Sequence, residues 1–302
     1  VKEVFTFADL ESCDRKKLKS AIRVGVLGHP VAHSLSPQIQ NAALEKSKLK
    51  MRYARFEIAP EELQAAFALL PGLDFVGVNL TVPHKIAALA LVDEADESAR
   101  QIGAVNTIKI ERERLCGFNT DGKGFSRAIR EEFSVDLRDL RVLLLGAGGA
   151  ARAIAFQCAK ENCERLVIAN RDPLKANQLV ESLRGFFAGP RVLGPVPRLQ
   201  SIATDEAALR FQIANTDLVV NATPLGLSHG DAPPIPARLL APHLMVYDTV
   251  YAKGPTAFVS GAIGAGARAA NGMSMLLHQG ALAFEIWFDR DAPIEEMRKA
   301  LL

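Results

Sequence analysis

The sequence is poor in the features that would tie it to metal, nucleic acid or membrane. Only four of its 302 residues are cysteine (Cys13, Cys116, Cys158 and Cys163). None forms a CxxC pair or has a histidine at zinc-finger spacing, so neither a disulfide scaffold nor a zinc module is expected. His29, His229, His243 and His278 also lack metal-ligand spacing, and no metal is expected. Positive charge is not in excess: the formal net charge is +2, which removes the electrostatic footprint of a nucleic-acid binder. The densest basic stretch, Arg15-Lys16-Lys17 with Lys19, reads as solvated surface. No apolar run reaches the roughly 20 residues that span a bilayer, and the N-terminus lacks the charged-then-apolar pattern of a secretory signal. Internal repeats and low-complexity tracts are missing as well. A soluble, cytoplasmic chain with small-molecule ligands is expected.

What the chain does have is apolar material, 49% of its residues, enough at this length for two packed cores. Short β-branched runs alternate with helical patterns, which predicts α/β architecture with mostly parallel strands. In the first part the strands read as 22–27, 53–58, 75–80 and 105–110, with helices at 37–47, 61–70 and 84–92. Phe125, Ile129 and Phe133 recur at spacing four after Asn119-Thr120-Asp121-Gly122, so a helix opens there and leads into a second domain. That domain begins on the continuous apolar strand 141–145 and runs on as a doubly wound unit, with strands at 166–169, 218–221 and 245–248. The stretch 187–197 is rich in proline and glycine and reads mostly as loop with a short strand. The last helix, 274–288, is apolar and aromatic, and is expected to return to the first domain.

One stretch carries a specific chemistry. Gly146-Ala147-Gly148-Gly149-Ala150-Ala151 follows strand 141–145 directly and precedes a helix expected at 152–160. Gly146 permits the tight turn, Gly148 lets the backbone approach a pyrophosphate, and Ala151 allows close helix packing. The helix start then offers free N–H groups and a positive dipole. A glycine turn at an ordinary strand–helix junction is the plainer alternative; the strand–loop–helix context favours the dinucleotide. The end of the next strand bears on which dinucleotide, because an Asp or Glu there reads the ribose 2′-hydroxyl of NAD. This chain has Asn170-Arg171-Asp172-Pro173-Leu174-Lys175. Arg171 and Lys175 suit a 2′-phosphate, with Asn170 as a neutral partner, whereas Asp172 pulls toward NAD. Pro173 marks a helix start, which makes Asp172 an N-cap turned toward backbone N–H groups and favours NADP.

Four further junctions are polar where strands end. In His33-Ser34-Leu35-Ser36-Pro37, Pro37 suits the first helical position and puts Ser36 at the N-cap. Ser34 is without that duty, and the two hydroxyls together could bind a carboxylate. Asn79-Leu80-Thr81-Val82-Pro83-His84-Lys85 repeats the pattern, with Pro83 starting a helix and Lys85 in its first turn. There the helix dipole opposes a positive charge and readies the amine for proton transfer; a solvated lysine is the plain alternative. Gly103-Ala104-Val105-Asn106-Thr107 and Asn119-Thr120-Asp121-Gly122 contribute Asn106 and Asp121.

Together, and in this order, these motifs resemble shikimate dehydrogenase over nearly the whole chain from about Arg23 onward. The series is HSLSP at 33–37, NLTVPHK at 79–85, GAVNT at 103–107, NTDG at 119–122 and GAGGA at 146–150. NRDPLK at 170–175, VNATPLG at 220–226 and NGMSMLLHQGA at 271–281 complete it. Leu80 stands where the family more often has Val, and Asp172 where it often has Thr. The resemblance implies a discontinuous α/β substrate domain, 1–120 plus 272–302, and a doubly wound Rossmann-type NADP domain, 121–271. It implies NADP-dependent, reversible reduction of 3-dehydroshikimate to shikimate, on the way to chorismate and the aromatic amino acids.

It also implies roles for particular residues. Ser34 and Ser36 bind the shikimate carboxylate; Thr81, Lys85, Asn106, Asp121 and Gln279 hold the ring hydroxyls, with Tyr251 near the substrate. Lys85 is the acid–base group and Asp121 orients it. Gly146, Ala147, Gly148, Gly149, Ala150, Asn170, Arg171, Asp172 and Lys175 hold the adenine half of NADP, and Thr249 and Gly272 line the nicotinamide end. Glu97 matches a cofactor-associated position, although a solvated helix carboxylate accounts for it equally. Two other readings stay open: an NAD-dependent quinate/shikimate dehydrogenase, and a non-catalytic ligand sensor on the same scaffold. The serine pair favours shikimate, and Lys85 with Asp121 favours an enzyme. Monomer and homodimer both remain open.

Overall fold

The computed structural model describes residues 3–12, 22–188, 197–228 and 230–302. Cys13, the basic cluster at 15–19, His229 and most of the stretch 187–197 lie outside the described residues. The chain divides into two units, Val1–Asp121 with Leu277–Leu302, and Gly122–Leu276. Asp121 therefore counts with the first unit and Gly272 with the second.

In the first unit the described strands are β1 (Val4–Thr6), β2 (Ile22–Gly28), β3 (Arg52–Glu57), β4 (Gly77–Leu80), β5 (Glu94–Ala95), β6 (Thr107–Glu111) and β7 (Arg114–Phe118). They form one sheet in the order β1-β3-β2-β4-β6-β7-β5. Strands β1 to β4 pair in parallel, whereas β6 runs antiparallel to both β4 and β7. The start of β6 thus lies beside the ends of its two neighbours, with Thr107 opposite Asn79 on one side and Phe118 on the other. Strand β6 begins two residues later than expected because Val105 N–H donates to the Lys85 carbonyl and Asn106 N–H to Phe118. The core runs through Leu27, Phe56, Ile58, Phe67, Val78 and Ile108. Helix Met273–Phe288 enters this unit at Leu277 and packs its aromatic end on the sheet. Trp287 Nε1 donates to Ile108 O at 2.9 Å, and a Cβ at Gly77 would come within 2.2 Å of that nitrogen. Glycine at 77 is what lets the indole reach the strand.

In the second unit the described strands are β8 (Arg141–Leu145), β9 (Arg165–Ala169), β10 (Leu199–Ile202), β11 (Leu218–Asn221), β12 (Met245–Asp248) and β13 (Arg268–Ala270). All pair in parallel, in the order β10-β9-β8-β11-β12-β13. Counted from β8 this is 3-2-1-4-5-6, the doubly wound order of dinucleotide-binding domains. Val142, Leu143, Leu144 and Leu145 are all buried, as a parallel strand covered on both faces requires. Helix Asp121–Phe133 buries Phe125, Ile129 and Phe133, the residues that recur at spacing four. Strands β10 and β13 and helices Glu206–Ile213 and Ala257–Gly264 were outside the sequence expectation.

The start of β8 is tied to the loop before β11 by one ion pair. Asp217 accepts from Arg141 N at 2.8 Å and Nε at 2.9 Å, and its second oxygen from Nη2 at 2.6 Å. Burial alone would raise the Asp217 carboxyl, but the Arg141 hydrogen bonds and charge outweigh it and hold the carboxyl below its ordinary 3.8. A carboxyl depressed in the folded state stabilises the fold above its free value, and that contribution fades as pH falls through the folded value. Asp217→Asn is expected to cost about 1 kcal/mol at neutral pH, since the pair is partly exposed. Thermal melts of the two proteins at neutral pH and near pH 3 check this. The gap should narrow in acid, and a gap that is constant or grows there refutes it.

Candidate active site

Four junctions of the first unit meet at one end of its sheet. Leu27 of β2 pairs with Leu80 of β4, which brings the segments after these strands together. Thr81 N–H donates to Leu27 O at 2.9 Å, and a Cβ at Gly28 would lie 2.3 Å from Thr81 Cγ2. Asn106 stands at the start of β6, and Asp121 follows β7 by three residues. Lys85 Nζ lies 2.6 Å from Asp121 Oδ2, with side chains only 16% and 4% exposed. The other Asp121 oxygen accepts from Asn106 Nδ2 at 2.8 Å. Its backbone N–H donates to Asn119 Oδ1 at 3.1 Å, and Asn119 is braced in turn on Ala104 O. A half-buried lysine held against a buried carboxylate that is hydrogen-bonded on both oxygens is a group that can give and take a proton.

Two local expectations need correction. The helix at Lys85 is not a long one: it is a single turn, His84–Ala87, capped by Pro83 and followed by a 3-10 turn, Ala88–Ala90. A single turn carries little macrodipole, so Lys85 is placed by Asp121 and by its own carbonyl, which accepts from Val105 N–H. His84 is a core residue whose Nε2 sits 2.8 Å from Ile58 O, and burial lowers its imidazole below the usual value.

The second correction concerns the serines. Ser36 is the first helical residue of Ser36–Lys46, with Leu35 at the cap position and no side-chain cap. Ser34 has the backbone duty instead, because Ser36 N–H donates to its Oγ at 3.3 Å. Both serines are buried. Glu97 is exposed at the start of helix Glu97–Ile102 and accepts from Gln101 at 3.1 Å, a local contact that accounts for it without a ligand. Gln279 lies half-buried on the C-terminal helix, one residue before Gly280, whose carbonyl accepts from buried Gln40 at 2.8 Å.

In the second unit the glycine-rich turn sits at the end of β8, where the strand order reverses between β8 and β11. Gly146 has φ of +112°, and a Cβ there would meet Ala222 O at 2.8 Å. Helix Gly149–Lys160 starts without a side-chain cap, so its first N–H groups are free for an anion. At Gly148 a Cβ would meet nothing within 4 Å. The turn is therefore open on the side a pyrophosphate would approach. Ala147 is buried, and Gly149 and Ala150 are half-exposed. After β9, Asp172 is the N-cap of helix Pro173–Leu183 and accepts from Leu174 N at 3.0 Å and Lys175 N at 3.3 Å. Asn170 Nδ2 donates to Asp172 O, and Arg171 and Lys175 are exposed.

Thr249 and Gly272 do meet: Gly272 N–H donates to Val250 O, and a Cβ at Gly272 would come within 2.2 Å of Thr249 O. Tyr251 belongs to the same loop, half-buried. Residues not assigned from the sequence hold this region. Asn221 donates to Asp248 Oδ1 at 2.8 Å and, through its own Oδ1, takes Thr223 N–H and Oγ1. Burial raises the Asp248 carboxyl, against hydrogen bonds from Thr256, Val250 N–H and Asn221. Asn271 clamps the Tyr251 loop through Ala252 O and Gly254 O. In the first unit the unassigned members are Tyr53, Asn79, Thr107 and Thr120, all buried. Their signal was available as polar residues at the ends of apolar strands.

A doubly wound sheet with an open glycine turn at its switch point, in a chain that also holds a lysine against a buried carboxylate, defines a dinucleotide-dependent oxidoreductase. The chain belongs to the shikimate dehydrogenase family. Residues 26–108 match its substrate binding domain, 127–193 match shikimate / quinate 5-dehydrogenase, and 272–302 match the shikimate 5′-dehydrogenase C-terminal domain. The shikimate dehydrogenase (NADP(+)) of Methanopyrus kandleri is 43% identical over 281 residues, 92% of this chain and 94% of that one. Shikimate 5-dehydrogenase from Thermus thermophilus, solved with NADP(H) and shikimate, superposes with TM-score 0.80 at 36% identity, covering 92% of this chain and 98% of that one. Quinate dehydrogenase from Corynebacterium glutamicum, solved with NAD, gives TM-score 0.80 at 27% identity, covering 93% and 98%.

Two glycines separate ligand access from packing. Gly148→Ala is expected to cost at most about 1 kcal/mol of stability, as an N-cap change with room for the methyl, while weakening dinucleotide binding. Gly272→Ala drives a methyl into the Thr249 carbonyl and should cost about 1–3 kcal/mol. Melting curves and dinucleotide titration of both variants test this. Equal losses of stability would remove the distinction.

Proposed function

We propose that this chain catalyses the reversible, NADP-dependent reduction of 3-dehydroshikimate to shikimate. The observation that carries the reading is the Lys85–Asp121 pair, a half-buried ammonium on a buried carboxylate that Asn106 holds on its far side. NADPH, when bound, supplies the hydride that reduces the carbonyl carbon. Lys85 donates a proton to the C3 oxygen in reduction and takes it back in oxidation; Asp121 keeps the ammonium aimed. The Ser34 hydroxyl accepts from Ser36 N–H, which leaves its own proton to donate to the shikimate carboxylate. Ser36, free of capping, donates alongside it. Thr81 and Gln279 hold ring hydroxyls. Both N–H groups of Asn106 are engaged by Thr120 and Asp121, so Asn106 reaches a ring hydroxyl only by sharing one of them.

For the cofactor, Gly146, Ala147, Gly148, Gly149 and Ala150 would hold the diphosphate, and Asn170, Arg171 and Lys175 the 2′-phosphate. Thr249 and Gly272 would line the nicotinamide, with Tyr251 near the substrate. The capping of Asp172 supports NADP, because one of its oxygens accepts from two backbone N–H groups and the other lies 3.8 Å from Lys175 Nζ, so it is not the free ribose reader that NAD needs. The Lys85–Asp121 pair supports an enzyme over a sensor, since binding alone needs no proton donor held on a buried carboxylate. Free thiols at Cys116, Cys158 and Cys163 suit a reducing cytoplasm.

Mixing the protein with NADP⁺ and shikimate should raise the absorbance of reduced cofactor; a flat trace with confirmed binding would favour the sensor. Lys85→Ala should lower kcat at least about a hundredfold, the low end for removing a general acid–base group. A variant that keeps most of its kcat removes Lys85 from the mechanism.

Cofactor choice gives a second test. Wild-type kcat/KM should favour NADP⁺ over NAD⁺ by at least about tenfold, or ~1.4 kcal/mol. Arg171→Ala should erase most of that by weakening NADP⁺ alone, because the guanidinium fork suits a phosphate. A wild-type preference for NAD⁺, with turnover of quinate, would move the chain to the quinate/shikimate reading.

A further inference from the structure

Behind Asp121 lies a chain of buried hydrogen bonds that spans four neighbouring strands, β3, β2, β4 and β6. Tyr53 of β3 reaches past β2 to place its hydroxyl 2.9 Å from Asn79 Oδ1 on β4. Asn79 Nδ2 donates to Thr107 Oγ1 at 3.0 Å and to Asn106 O at 3.3 Å. Thr107 Oγ1 donates to Asn106 Oδ1 at 3.0 Å, and Asn106 Nδ2 donates to Asp121 Oδ1 at 2.8 Å. Tyr53 itself is anchored at its backbone, where Asn41 takes its N–H at 2.8 Å and donates to its carbonyl at 3.0 Å.

Backbone groups set the direction of this chain. The Asn106 carbonyl can only accept, so the Asn79 amide must turn its nitrogen that way and its oxygen to Tyr53, which makes the phenol the donor. Thr120 N–H can only donate, and at 2.8 Å it fixes Asn106 Oδ1 on its own side. Thr107 then accepts from Asn79 and gives its single proton to Asn106. Every link therefore donates toward the carboxylate, and hydrogen bonds aligned head to tail strengthen one another. Turning the Asn106 amide over would set its oxygen against Asp121, which is repulsive. Strand pairing does not call for these side chains, since β2, β3, β4 and β6 are already joined through their backbones.

We infer that Tyr53, Asn79 and Thr107 are positioning residues that hold the Asn106 amide with its N–H edge on Asp121, and through Asp121 aim Lys85 at the reacting oxygen. The inference rests on the roles proposed above for Lys85 and Asp121. Their side-chain hydrogen bonds run to one another and on to Asn106, so their effect on the reaction passes through Asn106 and Asp121.

Thr107→Val keeps the shape of the side chain and removes the relay proton; Tyr53→Phe removes the first donor. Steady-state kcat and shikimate KM are measured for each, in the wild type and in the Lys85→Ala background, with Thr107→Ser as the conservative replacement. Thr107→Val should lower kcat at least about fivefold, in the range for one lost buried hydrogen bond, and leave KM within about twofold. Thr107→Ser should restore kcat to within about twofold of wild type, and Tyr53→Phe should act in the same direction as Thr107→Val but less strongly. In the Lys85→Ala background the residual kcat should change less than about twofold, because the group being aimed is gone. Equal losses in both backgrounds would show a general packing role and overturn the inference, as would an effect on KM alone or failure of the Ser variant to rescue. If Thr107→Val folds poorly, Tyr53→Phe in the two backgrounds decides by the same criterion. Should Lys85→Ala itself keep its kcat, the reading of the site fails instead, and the two failures are told apart.

Discussion

A carboxylate taken out of water must be paired and hydrogen-bonded, or it costs several kcal/mol. Asp121 meets that demand with Lys85 on one oxygen and Asn106 on the other. Meeting it is what assembles the first unit's site. Lys85 comes from the turn after β4, Asn106 from the approach to β6 and Asp121 from the segment after β7. These come together because β6 runs against its neighbours, which sets its first residue beside their last ones. A wholly parallel sheet would have put Asn106 at the opposite end from Asp121. The reversed direction of β6 thus supports the chemistry as well as the sheet.

The second unit solves a different problem, the approach of an anion to the backbone. Its parallel strands all end on one side, and the loops after β8 and β11 part where the strand order reverses. Gly146 can take the left-handed turn that this needs, and Gly148 leaves the helix start uncovered. Around this opening the polar residues are occupied with one another: Asn221 with Asp248 and Thr223, Asp172 with its own helix, Asn271 with the Tyr251 loop. Arg171 and Lys175 remain exposed at the turn after β9. An anion would find cations at that turn and free N–H groups at the start of helix Gly149–Lys160, while Asp172 is engaged by its own helix and lies 3.8 Å from Lys175 Nζ.

Much of this was legible in the sequence because it depends on neighbours along the chain. The strand 141–145, the spacing of Phe125, Ile129 and Phe133, and the glycine turn rest on local sterics and periodicity, and they stand as read. The capping by Asp172 is of the same kind, since Pro173 alone marks the helix start. Where two local signals competed, the outcome lay elsewhere. Pro37 suggested a cap at Ser36, yet the helix starts one residue earlier and Ser34 takes the backbone N–H. The long helix expected after Pro83 is a single turn followed by a 3-10 turn.

By itself the sequence determined the α/β class, the two apolar cores, the family motifs and the residue types that could move a proton or hold a phosphate. These follow from composition and from spacing within a few residues. The motifs paired Lys85 with Asp121 by resemblance; only the tertiary structure decided which oxygen each partner takes, that Asn106 is turned to serve Asp121, and that Tyr53, Asn79 and Thr107 stand in line behind. Those partners lie as far apart as Tyr53 and Asp121 in the chain, and no periodicity encodes such a distance. What joins them is strand order and register, and then the requirement that every buried polar group find a partner.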